Sequence, residues 1–161
     1  MSIRAKILTI SDSAHQGTRE DKSGPAIADR LRVAGYQVSD PEVVPDERNQ
    51  IADWLRAVIH SQQADVIFTT GGTGVAARDI TPEAVRDVID REIPGFGEVM
   101  RQSGREFTPL ASLSRGIAGA AGTVLIVTLP GSPKGALQSL NAILELVPHV
   151  HDLLNGRTAH K

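Results

Sequence analysis

An apolar run ending at Phe68 passes through Thr69-Thr70 directly into Gly71-Gly72-Thr73-Gly74, and Arg78-Asp79-Ile80-Thr81-Pro82-Glu83 follows closely. A strand that empties into glycines leaves backbone N–H groups with no side chains over them. The junction therefore places an anion-sized nest at the carboxyl end of a sheet. Glycines together can also serve only to make a tight turn. The neighbouring Arg78-Asp79 adds a cation and a carboxylate beside the nest, which favours a ligand site over a bare turn.

Two familiar phosphate-binding signatures fail here. Gly72 to Ala77 matches Gly-x-Gly-x-x-Ala after a strand, the dinucleotide-binding fingerprint. In that fingerprint the helix opens inside the glycine run. Here Thr81 suits an N-cap, Pro82 the first helical position and Glu83 the first turn, so the helix is predicted to begin within a residue or two of Pro82. No strand ending in an acidic residue follows at the expected distance either, and a nucleotide-dependent oxidoreductase remains the lesser alternative. A P-loop is excluded because no Gly-Lys-Ser/Thr closes the run.

Strand and helix patterns alternate along the chain. Ala5 to Ile10 reads as a buried strand, Gly24 to Val33 as a helix stopped by Gly35, and Tyr36 to Val44 as a second strand. Ile51, Leu55, Val58 and Ile59, with Trp54, mark one face of a second helix. Val66 to Thr70 is the third strand. Pro82 to Arg91 and Phe96 to Gly104 read as helices, the latter interrupted by Gly97. Thr123 to Leu129 is a further strand, and Leu137, Leu140, Ile143, Leu144 and Val147 share one face of a helix running from about Gly135 to Leu154. The small residues of Gly116 to Gly122 suit a hairpin or a subunit contact, and a polar tail follows Asn155. The prediction is an α/β fold of a single domain over residues 1–161, three αβα layers about a mainly parallel sheet.

Composition narrows the function. A formal charge of −2 provides no basic field for a nucleic-acid backbone, and one Trp, one Tyr and three Phe leave little surface for stacking bases. The absence of cysteine removes disulfides, thiolate metal sites and a cysteine nucleophile. His149 and His151 are two apart in a helical segment and point to different faces, so they do not chelate together; His15 lies in a loop near the expected crevice. With no run of membrane-spanning length and a strand pattern starting near the N-terminus, a soluble cytoplasmic protein is expected, with neither nucleic acid nor membrane as partner.

Ligands in such sheets sit beyond the carboxyl ends of the strands. The residues there are Ser11-Asp12-Ser13, Pro45-Asp46-Glu47, the glycine loop with Asp79, and Leu129-Pro130-Gly131-Ser132-Pro133-Lys134-Gly135. Carboxylates beside a phosphate nest make sense chiefly with a hard cation between them, and magnesium is the natural candidate. Singly, Asp12 and Asp46 also suit turns or caps, and Ser132 suits the cap of the last helix.

Four motifs in order, Thr69 to Gly74, Arg78 to Ala84, Leu113-Ser114-Arg115 and Leu129 to Gly135, resemble the molybdenum-cofactor biosynthesis proteins of the MogA/MoaB type. The similarity runs from the first strand to the last helix. It implies a compact α/β protein, a homotrimer, and a molybdopterin adenylyltransferase that moves AMP from ATP to the terminal phosphate of molybdopterin with Mg2+. Related chains with weaker or no activity leave open a non-catalytic molybdopterin-binding or assembly protein, and other proteins of the same pathway are implied as partners. Asp46 and Asp79 match the family's functional carboxylates and are assigned to catalysis and to the metal. Gly71, Gly72, Thr73 and Gly74, with Ser11, Asp12 and Ser13, are assigned to the nucleotide and its phosphates. Ser114, Arg115, Ser132 and Lys134 are assigned to the pterin. After Ser13 the chain has Ala14-His15-Gln16-Gly17 where the family often continues with a Ser-Arg-Ser-like stretch, so the resemblance assigns no role to the loop beyond Ser13.

Overall fold

A computed structural model describes residues 2–159; Met1 and the end of the polar tail, His160 and Lys161, lie outside the described residues. Seven strands form one sheet: β1 (Arg4–Ile10), β2 (Gln37–Val38), β3 (Glu42–Val44), β4 (Val66–Thr70), β5 (Arg91–Glu92), β6 (Ala118–Ala121) and β7 (Val124–Leu129). The order is β2-β1-β4-β7-β6-β5, with β3 also pairing β1. All pairings among β1, β2, β3, β4 and β7 are parallel, and β6 runs antiparallel to both its neighbours.

Strand alternation divides the core into two layers. Ile7, Phe68, Leu125 and Val127 face the helices α2 (Ser23–Val33), α5 (Pro94–Arg105), α6 (Pro133–Ile143) and α7 (Val147–Leu154). Leu8, Ile10, Ile67 and Ile126 face α3 (Arg48–His60) and α4 (Thr81–Arg86). These side chains are essentially removed from water on both faces, as a parallel sheet covered by helices requires. The three-layer expectation therefore holds.

Departures from the expected elements have local causes. The strand expected over Tyr36 to Val44 is two short strands on one edge of β1, because the Asp40-Pro41 step lies between them and proline removes a ladder donor. The helix expected to reach Arg91 stops at Arg86, and Arg91–Glu92 becomes the edge strand β5. Gly97 does not break α5: it is buried, and a Cβ there would lie 2.7 Å from the Gly116 carbonyl oxygen, so its bareness allows close packing. The long C-terminal helix is interrupted by a 3-10 turn at Leu144–Leu146 and restarts with Pro148 in its first turn. Gly116 to Gly122 resolves as a hairpin: β6 turns into β7 through Gly122, whose φ is 60°.

Register brings the strand ends level. Thr9 pairs with Thr70, Thr70 with Leu129, and Ile10 with Val44, so the loops after β1, β3, β4 and β7 leave the sheet side by side. Because β2 and β3 lie on one side of β1 and β4 on the other, the chain reverses direction across the sheet there, where open α/β sheets form their binding crevice.

Candidate functional site

The glycine loop is shaped by contacts too close for side chains. Gly71 and Gly72 have φ of 104° and 68°. A Cβ on Gly71 would meet the Ile10 carbonyl, and one on Gly72 would strike the Thr81 hydroxyl and lie 3.2 Å from Asp46 Oδ1. Thr81 is the first residue of α4 and not its N-cap, which is Ile80. Its buried hydroxyl instead donates to the Gly71 carbonyl (3.0 Å), while its N–H donates to the Gly72 carbonyl (3.1 Å). The helix thus begins seven residues beyond Gly74, next to Pro82 as expected, and the dinucleotide fingerprint is excluded. Among the described residues the N–H groups of Gly72, Thr73, Gly74 and Val75 donate to no protein acceptor. Such a row of free donors suits anionic oxygens.

Asp46 and Asp12 bridge two loops reciprocally. The Asp12 N–H donates to Asp46 Oδ2 and the Asp46 N–H to Asp12 Oδ1, each at 2.9 Å. Arg78 grips Asp12 through Nε (2.6 Å) and Nη2 (3.0 Å), and its Nη2 also reaches Glu47 Oε1 (3.0 Å). Asp12 is therefore occupied on both oxygens and does not wall the crevice. The cation read beside the nest is turned to Asp12 and Glu47. Hydrogen bonding from Arg78 and from the Asp46 N–H holds the Asp12 carboxyl below the usual carboxylate range. Asp46 goes the other way: burial raises it, and the charges of Asp12 and Asp79 raise it further, against the Asp12 N–H and Arg78.

Asp79 folds back on the loop, its Oδ2 accepting the Ala76 N–H at 2.9 Å. One oxygen of each of Asp46 and Asp79 is thus held by a backbone N–H, and the other accepts no hydrogen bond among the described residues. No group of three or more His, Cys, Asp or Glu capable of holding a metal occurs among the described residues. Two carboxylates each with an open oxygen, beside free N–H donors, fit a hard cation that completes its shell with phosphate oxygens and water.

Two cavities meet at this point. The polar one, about 440 Å³, is walled by Ser11, Asp46, Asp79, Gly71, Gly72 and the 19–23 segment. The other, about 430 Å³, lies between the glycine loop, α5 and the 3-10 turn Pro109–Leu113, and is lined by Met100, Leu110, Leu113, Ser114 and Thr128. Gly72, Asp79, Gly131 and Ser132 belong to both walls. Ser132 also caps α6, its hydroxyl accepting the Gly135 N–H at 3.1 Å.

The remaining expected residues fall into two groups. Ser11, Thr73, Gly74 and Ser114 reach the cavities. Ser13 pairs with the Ser11 hydroxyl at 3.2 Å and lines neither, and Lys134 is exposed and lines neither. Arg115, assigned from resemblance to the pterin, also lines neither: its guanidinium engages Gly74, Asp79 and Glu83. Of the histidines, His15 ends the short helix α1 (Asp12–His15), and His149 and His151 lie on α7.

Residues that the sequence reading missed are Arg19, Asp21 and Lys22 on the polar side and Met100, Arg101 and Leu110 on the other. Asp21 links β1 to α2 by accepting from the Thr9 hydroxyl (2.8 Å) and the Gly24 N–H (3.0 Å). An Asp three residues before a Gly at a helix start was a legible capping signal. Arg19 and Lys22 form no ion pair among the described residues.

Residues 6–149 match the family model described as "Probable molybdopterin binding domain". A molybdopterin adenylyltransferase of Helicobacter pylori strain J99 is 41% identical over 160 residues, covering 96% of this chain and 89% of that protein. A molybdenum cofactor biosynthesis protein B of Halalkalibacterium halodurans is 39% identical over 160 residues, covering 97% and 93%. The crystal structure of the molybdopterin biosynthesis enzyme MoaB of Thermus thermophilus superposes with a TM-score of 0.87 at 48% identity, covering 96% of this chain and 97% of that one.

Proposed function

We propose that this chain, which belongs to the molybdopterin-binding domain family of molybdenum-cofactor biosynthesis proteins, is a molybdopterin adenylyltransferase acting as one domain over its length. The observation that carries this reading is the shared wall: a largely apolar cavity suited to a fused ring system and a polar cavity suited to a triphosphate join at Gly72, Asp79, Gly131 and Ser132. A terminal phosphate on the ring ligand reaches the α-phosphorus across that wall.

In the reaction a phosphate oxygen of molybdopterin bonds to the α-phosphorus of ATP. The bond from the α-phosphorus to the bridging oxygen breaks, and pyrophosphate leaves with the electron pair. The substrate supplies its own nucleophile, so no triad or activated hydroxyl is needed. Positioning falls to the glycine-loop N–H groups and Ser11, and Arg19 and Lys22 add uncommitted positive charge along the polar crevice. Asp46 and Asp79 hold Mg2+, which when bound neutralises phosphate charge at the reacting centre. Ser114 and Ser132 contact the pterin side. The protein works as a homotrimer in the cytoplasm, with molybdopterin and ATP as substrates; no helix among the described residues is long and apolar enough to cross a membrane.

The protein B relative favours a second reading, because its name gives the pathway and no transferase activity. One experiment separates the two. Purified protein given molybdopterin, ATP and Mg2+ is expected to release pyrophosphate and form adenylylated molybdopterin. Molybdopterin binding with no pyrophosphate would assign the chain to binding or assembly.

A further inference from the structure

Arg115 follows the 3-10 turn; it lines neither of the two cavities and borders a third one with Arg101, Ser114 and Gly116. It makes four hydrogen bonds to the loop and the helix after it. Its backbone N–H donates to the Thr73 carbonyl (2.7 Å), Nε to the Gly74 carbonyl (2.7 Å), Nη2 to the Asp79 carbonyl (2.5 Å) and Nη1 to Glu83 Oε1 (2.6 Å). The fork thus spans both ends of the Gly74–Asp79 turn and ties them to the first turn of α4. Glu83, in return, is held below the usual carboxylate range by hydrogen bonding from Arg115.

A trans peptide sets each carbonyl antiparallel to the N–H that follows it. Carbonyls of Thr73 and Gly74 drawn to Arg115 therefore turn the N–H groups of Gly74 and Val75 the opposite way, and these are among the donors with no protein acceptor. Holding the Asp79 carbonyl likewise fixes the backbone from which its carboxylate projects.

We propose that Arg115 is a positioning residue, which presents the glycine-loop N–H groups and the Asp79 carboxylate to the phosphates without itself contacting the pterin. The proposal rests on the adenylyltransferase reading for its catalytic consequence and on loop geometry for the rest. A lysine cannot replace the fork, because one ammonium does not reach three acceptors in a plane.

The test compares wild type with Arg115→Lys in two independent ways. Hydrogen exchange on ligand-free protein reads the loop alone: the bonded amides of Ala76, Asp79 and Thr81 are expected to exchange about tenfold faster in the variant. Steady-state assay reads the chemistry: a misplacement of about 1 Å costs roughly a hundredfold, so pyrophosphate release is expected to fall by about that factor, with a raised KM for ATP. Thr73, Gly74 and Asp79 wall the apolar cavity, so molybdopterin affinity is expected to weaken only together with faster exchange, because Arg115 lines neither cavity and acts on the pterin through the loop alone. If R115K melts too early to assay, Glu83→Ala frees the Nη1 arm alone and is expected to move exchange and turnover in the same direction by smaller factors. Pterin affinity falling in Arg115→Lys while amide exchange stays unchanged would overturn the proposal in favour of direct contact. Unchanged exchange in both variants would overturn it too. Should wild type itself release no pyrophosphate, the adenylyltransferase reading fails, and the exchange comparison still decides what Arg115 does to the loop.

Discussion

Asp46 is a carboxylate kept where its charge is disfavoured. It is partly buried, faces the charges of Asp12 and Asp79, and its carboxyl is raised above the ordinary range. A group whose folded value exceeds its unfolded one stabilises most at low pH, and that contribution disappears as pH rises through the folded value. At neutral pH the ionised Asp46 therefore opposes folding unless a cation is present. Asp46→Asn keeps an oxygen for the Asp12 N–H and is expected to raise Tm near pH 7 without magnesium, with the gain vanishing as both proteins are taken below the ordinary carboxylate range. Magnesium should stabilise wild type more than the variant. Thermal melts across pH, with and without the ion, check this; a variant less stable than wild type at neutral pH would contradict it. Turnover should run opposite to stability. With Mg2+ held at Asp46 and Asp79 as proposed, removing one charge from its shell would cost about 3 kcal/mol, so each Asn variant is expected to slow adenylyl transfer by roughly a hundredfold. Assays of pyrophosphate release check it, and wild-type rates in both variants would sink the carboxylate assignment.

The elements were legible where one pattern decided them and illegible where packing did. The strand ending at Thr70 and the helix beginning at Thr81 follow from an apolar run and from Thr81-Pro82-Glu83. The cap was misread because Thr81 had a buried carbonyl, that of Gly71, to satisfy from another strand end. The edge strand β5 has no sequence signal: Arg91 and Glu92 are exposed and owe their conformation to pairing with Ala120 and Gly119. That Asp46 and Asp79 line the polar cavity could be read from the strand ends, whereas Asp12 turns away to Arg78 because its partner lies in another loop. The apolar cavity escaped notice because it arises where Gly104 of α5 lets Ala111 of the 3-10 turn approach, a contact between segments with no motif. At Gly71 conformation and space agree, since φ is 104° and a Cβ would run into the Ile10 carbonyl. Gly71→Ala is expected to lose about 2 kcal/mol of stability or more. Denaturant melts measure it, and a loss under half that would mean the β4 end yields more readily than the packing implies.

For the whole molecule, the small-residue segment that suits a hairpin or a subunit contact is buried within the protomer from Gly116 to Ala121 and exposed at Gly122. Ala118 to Ala121 is buried in the sheet, and Gly119 packs against Arg91 and Ile89. What the surface offers instead is the arm after α5, where Phe107, Leu110 and Leu113 are 59%, 69% and 52% exposed within seven residues. Three large apolar side chains on one arm are costly to leave in water, and in the proposed homotrimer a second copy of the chain would cover them. Leu110 and Leu113 also line the apolar cavity, so a subunit contact on this arm would share a wall with the proposed pterin site. Charging that arm should separate protomers and loosen the cavity together. Light scattering on wild type is expected to give a trimer over a wide concentration range, and Leu110→Asp a smaller species with weakened molybdopterin affinity. ATP-side binding at Asp46 and the glycine loop, on the polar face of the shared wall, should change far less. A monomeric wild type would remove the trimer, and a trimeric Leu110→Asp with intact pterin binding would move the contact off this arm.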